Sequence, residues 1–61
     1  MKVRILKNSG NGQYSFYADF KEFTDAVNYI NSLTDCRVPV INKTLYSTRY
    51  DFYDYMILVK N

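Results

Sequence analysis

The sequence predicts a small two-layer α+β domain in which a four-stranded, mainly antiparallel sheet carries one helix on one face. Three observations predict it. Two short alternating runs flank a glycine-rich turn at the start of the chain. A capping-type sequence opens a helix-period stripe in the middle. The chain closes on β-branched and aromatic residues that end in a continuous apolar run.

The first run, "KVRILK" (2–7), alternates and is β-branched at Val3 and Ile5. "NSGNG" (8–12) then concentrates turn residues, and "QYSFYA" (13–18) alternates again, placing Tyr14, Phe16 and Ala18 on one face and Ser15 and Tyr17 on the other. Together these runs read as a β-hairpin. The "GNG" is not a phosphate loop, because no Lys–Ser/Thr pair follows and the next element is extended.

Asp19, with Glu22 three residues on, has the pattern of a capping box. Phe20, Phe23, Ala26, Val27, Ile30 and Leu33 recur at helical spacing, so the helix is expected at about 20–33 with one apolar stripe. The segment "CRVPVINKTLYS" (36–47) is β-rich, and Pro39, which has no amide donor, assigns that strand to a sheet edge or starts it near the proline. "YMILV" (55–59) is apolar at every position, the mark of a strand covered on both sides. The expected order is ββαββ in a single domain, 1–61.

One helix covers one face of such a sheet, which leaves the other face to be accounted for. In the last strand Met56 and Leu58 point one way, and Tyr55, Ile57 and Val59 the other. With apolar burial and chain entropy about equal for 61 residues, an isolated monomer is marginal. The lone Cys36 permits no internal disulfide and, with no histidine, builds no zinc site. A homodimer that self-associates through Tyr17, Tyr55, Ile57 and Val59 is the expected remedy. The unpaired cysteine and the lack of a signal-peptide run or a 20-residue apolar span point to a cytoplasmic protein without membrane partners.

Little in the chain speaks for catalysis. There is no histidine to act as a base, no activating partner for the thiol, and the spacing of Asp51 and Asp54 is too generic for an acid pair. The expected protein is a non-enzyme with no cofactor and no metal. The stretch "YSTRYDFYDY" (46–55) instead gathers four tyrosines, a phenylalanine, an arginine and two aspartates, the residue types of protein–protein hot spots. Tyr46, Arg49, Tyr50, Phe52 and Tyr53 are therefore the expected contact residues for a larger protein. An alternative is nucleic acid, with Tyr14, Tyr17, Tyr53 and Tyr55 stacking bases and Lys2, Arg4, Arg37 and Arg49 meeting phosphates. Against it stand a net charge of only +2 and no clustering of the cations.

The initiator Met and the wealth of Asn, Lys, Ile and Tyr resemble, in kind only, the small free-standing reading frames of bacteriophages and mobile elements. That resemblance implies an inhibitor or adaptor, such as an anti-defence protein, acting on a host protein in the host cytoplasm.

Overall fold

The computed structural model describes residues 3–60. Five strands and one helix follow in the order β1 (Val3–Asn8), β2 (Tyr14–Phe20), α1 (Phe23–Asn31), β3 (Val40–Lys43), β4 (Ser47–Phe52) and β5 (Tyr55–Lys60). The strands form one antiparallel sheet in the order β2-β1-β5-β4-β3. The two-layer α+β architecture is as expected, but the sheet has five strands rather than four. The additional strand is β4, which lies inside the tyrosine-rich stretch. Its pattern is period-two after all: Thr48, Tyr50 and Phe52 face the helix, while Arg49 and Asp51 face away. The polar half of that alternation is a mutually paired arginine and aspartate.

The hairpin turn behaves as its residues dictate. Asn8 Oδ1 accepts the Gly10 amide at 2.8 Å, the Ser9 amide reaches the Gln13 carbonyl at 2.8 Å, and Gly10 and Gly12 take φ of +103° and +75°. Within β2 a bulge interrupts the alternation. Ile5 pairs with Ala18 but Leu6 pairs with Phe16, so Tyr17 is the extra residue. The bulge reverses the expected faces downstream. Phe16 stays on the helix-free side, whereas Ala18, expected beside it, turns to the helix side, and Asp19 comes to sit opposite Arg4.

The helix is shorter than its stripe. Phe20 belongs to β2 as the partner of Val3, and Asp19 spends its carboxylate on Arg4, so neither is free to start a helix. Glu22 is the N-cap, with φ −113° and ψ 136° and no side-chain capping bond. At the other end Ser32 and Leu33 close tight turns onto Tyr29 and Ile30, and the Arg37 guanidinium donates to the Asn31 and Thr34 carbonyls. Leu33 is thus beyond the helix. Pro39 stands just before β3, an edge strand, in accord with the missing donor.

The core lies between α1 and the sheet. Val3, Ile5, Ala26, Ile30, Cys36, Phe52 and Ile57 are buried together, with Phe20, Phe23, Val27, Tyr50, Tyr55 and Val59 packed around them. Central β5 links both halves of the sheet through β1 and β4. No helix among the described residues is long and apolar enough to cross a membrane.

Candidate functional surfaces

The two sides of the sheet differ in kind. On the helix side, Tyr17, Phe20, Tyr29 and Tyr55 form a ring cluster, with Tyr17–Tyr55 centroids at 5.5 Å and edge-on, Tyr17–Tyr29 at 6.0 Å and Phe20–Tyr29 at 5.5 Å. Phe23 meets Tyr50 at 4.7 Å, and the Lys7 ammonium lies over the Tyr55 ring at 5.8 Å. A hydrogen bond with Tyr17, backed by its charge, pushes the Tyr29 hydroxyl above the ordinary tyrosine pKa.

This placement corrects the face assigned to self-association. Odd-numbered residues of β5 pair with Val3, Ile5 and Lys7, which share the helix side, so Tyr55, Ile57 and Val59 point inward under α1. Ile57 is fully buried and has no surface to offer a second chain. Tyr17 keeps some exposure but is engaged with Tyr29 and Tyr55.

The helix-free side carries the even residues of β5 and their neighbours. Arg4 lies 5.2 Å over the Phe16 ring, and its Nε and Nη2 donate to the Asp19 carboxylate at 2.9 and 3.2 Å. Both the hydrogen bond and the charge of Asp19 push the Arg4 pKa further up. Arg49 repeats the arrangement: its guanidinium is 5.1 Å from the Tyr14 ring centroid, its Nε donates to both Asp51 oxygens at 3.0 and 3.1 Å, and its Nη2 points to the Tyr14 hydroxyl at 3.5 Å. Tyr14 and Arg49 sit on strands separated by β1 and β5, so the pair spans the sheet. Met56, between Leu6 and Asp51 in register, is only 6% exposed although no helix lies on its side. Arginine–aromatic lids therefore shelter much of a face that the sequence left bare. What stays open is Phe16, 59% exposed, and a depression of about 310 Å³ lined by Arg4, Leu6, Leu58 and Lys60.

The five residues expected to meet a partner do not form one patch. Phe52 is buried in the core and Tyr50 is half-buried against Phe23. Arg49 is on the helix-free face. Tyr46 and Tyr53 are 78% and 70% exposed, but they occupy the turns at opposite ends of β4, about 20 Å apart for a strand of that length. The even-odd separation of β4 splits the decapeptide between core and surface. The nucleic-acid set is divided as well: Tyr14, Arg4 and Arg49 share the open face, Tyr17 and Tyr55 lie on the other, Arg37 caps the helix, and Lys2 lies outside the described residues.

Two further features were not anticipated. Val38, Val40, Ile41, Leu45 and Tyr46, all along the β3 edge and its flanks, are 58 to 83% exposed. A second depression, about 350 Å³, lies at the C-terminal end of α1 between Asn31–Asp35 and Tyr53, and next to it Asn31 Oδ1 is buried without a hydrogen-bond partner. Parity along 36–47 identifies the edge only once β4 is recognised as a separate strand. No three of the metal-ligating side chains His, Cys, Asp and Glu cluster among the described residues. Compared with family models, with curated proteins and with solved structures, the chain matches none of them.

Proposed function

We propose that the chain is a non-catalytic binding protein that docks its helix-free sheet face onto a larger protein. The observation that carries this reading is the composition of that face. Tyr14, Phe16, Arg4 and Arg49 are of residue types enriched in protein interfaces, and Arg4 also borders a depression lined by Leu6, Leu58 and Lys60. Each arginine is already held over a ring and tied to a carboxylate. Little side-chain entropy then remains to be lost on docking. By its resemblance in kind to small phage and mobile-element frames, the protein acts as an inhibitor or adaptor of a host protein.

Binding to single-stranded nucleic acid is the second reading, favoured by exposed Phe16 beside cationic Arg4 and Lys60. It is the weaker reading because Asp19 and Asp51 neutralise the two arginines where phosphates would sit. Affinity capture from host lysate, run with and without nuclease, tests both. A nuclease-resistant protein retained by the wild type and lost with Phe16→Asp is the expected result. A partner that disappears on nuclease treatment supports the second reading instead, and capture undiminished by Phe16→Asp removes the proposed face.

A further inference from the structure

The two edges of the sheet are defended unequally. Edge β2 carries a bulge at Tyr17 and the charged Asp19, both of which oppose pairing with another strand. Edge β3 has no bulge, and its guards, Pro39 and Lys43, stand only at its two ends. It is regular, its four residues are all exposed, and Lys43 at its end is its one charge.

The hydrogen-bond alternation says which β3 groups look outward. The Thr44 amide donates to the Ser47 carbonyl at 2.8 Å, so the 44/47 pair is a bonded one. In an antiparallel ladder bonded and non-bonded pairs alternate, and the register continues through Asn42↔Arg49 and Val40↔Asp51. Val40 and Asn42 therefore spend their amides and carbonyls on β4. Those of Ile41 and Lys43 point out of the sheet. Pro39, the next outward position, has no amide to present.

We propose that β3 pairs antiparallel with β3 of a second copy of this chain, with Ile41 on the two-fold axis, to form a continuous ten-stranded sheet. The axis of such a pair is perpendicular to the sheet, which keeps both helices on the same side. Residues of equal parity must then face each other. With Ile41 opposite Ile41 of the partner subunit, two Ile41 amide–carbonyl bonds form at the axis. Lys43 falls opposite the position of Pro39, whose carbonyl takes its amide while the proline's missing donor costs little. The apolar side chains meet at the axis, and the two Lys43 ammonium groups lie four residue steps apart along the strands, beyond a Debye length of about 8 Å. The like charges of the second copy therefore do not oppose the hydrogen-bonded register.

The edge also has apolar surface to offer. Val38, Val40, Ile41, Leu45 and Tyr46, at exposures of 58 to 83%, carry on the order of 500 Å² of mostly apolar surface. They are divided between the two faces of the strand, and a partner strand alongside covers the flanks of both sets together with the backbone. Full coverage reaches about 600 Å² a side, the lower end for specific interfaces. Pairing here leaves the helix-free faces uncovered, and the two-fold axis sets them side by side on one surface.

Light scattering over a concentration series, combined with amide exchange, tests the pairing. A species of twice 7.2 kDa is expected, with Ile41 and Lys43 amides protected at least tenfold more than under dilute, monomeric conditions. Ile41→Lys, at an exposed position, is expected to give a folded monomer. A 7.2 kDa species at every concentration overturns the proposal, as does a dimer that Ile41→Lys leaves intact or in which the Ile41 amide exchanges freely. None of these outcomes bears on the helix-free face, which Phe16→Asp probes separately.

Discussion

Tyr53 is the one non-glycine residue among those described with a positive φ, at +56°. It is the first of the two residues joining β4 to β5, and a connection with positive φ at that position alone favours Gly there, because any side chain with a Cβ is strained. Its ring is largely exposed and returns little packing for that strain. Tyr53→Gly should therefore raise stability by about 0.5–1 kcal/mol in urea denaturation. Tyr29 gives a pH signature. Its hydroxyl pKa is raised in the folded state by the hydrogen bond with Tyr17, so the stability it contributes is present below the ordinary tyrosine pKa of about 10 and is lost as pH climbs through the higher folded value. Ultraviolet titration of the phenolates should show Tyr29 ionising late in the folded wild type, and Tyr17→Phe should bring it back toward the ordinary range.

At the level of elements, the helix begins without help. Glu22 has the extended backbone of an N-cap, yet its side chain makes no capping bond, and the aspartate three residues earlier, the N-cap of the expected capping box, is bonded to Arg4 instead. Glu22→Ser should supply the missing acceptor for the first-turn amides and gain about 1 kcal/mol, read as a higher thermal midpoint. The same competition explains what was legible in the sequence. The hairpin turn, the helix stripe around Phe23–Ile30, the edge position after Pro39 and the centrality of "YMILV" each follow from local propensity or period. The bulge at Tyr17, the shortened helix and strand β4 do not, because each depends on a cross-strand pairing: Arg4 with Asp19, Val3 with Phe20, and Tyr50 with Ile57. The surface was misread for a related reason. Hydrophobicity alone sets Tyr55, Ile57 and Val59 against Met56 and Leu58 without saying which set meets the helix, and only the register with Val3 and Ile5 decides it.

For the molecule as a whole, a chain of 61 residues treats the two sides of its sheet by unlike means: a nine-residue helix covers one, and arginines laid over rings cover part of the other, leaving Phe16 open. Salt bridges this exposed add little to stability individually. Their larger effect is to hold the two guanidinium groups over the Phe16 and Tyr14 rings without a second layer of chain. The unsatisfied requirement moves to the β3 edge, where backbone groups and five large side chains stay uncovered. The hairpin tip has a practical consequence of its own. No atom lies within 4 Å of a side chain built at Gly10 or Gly12, and the tip joins the two strands farthest from β3. A fluorophore or affinity tag spliced between those glycines, with both retained for their backbone angles, would ride clear of the packed layers and report on assembly from the far margin of the sheet.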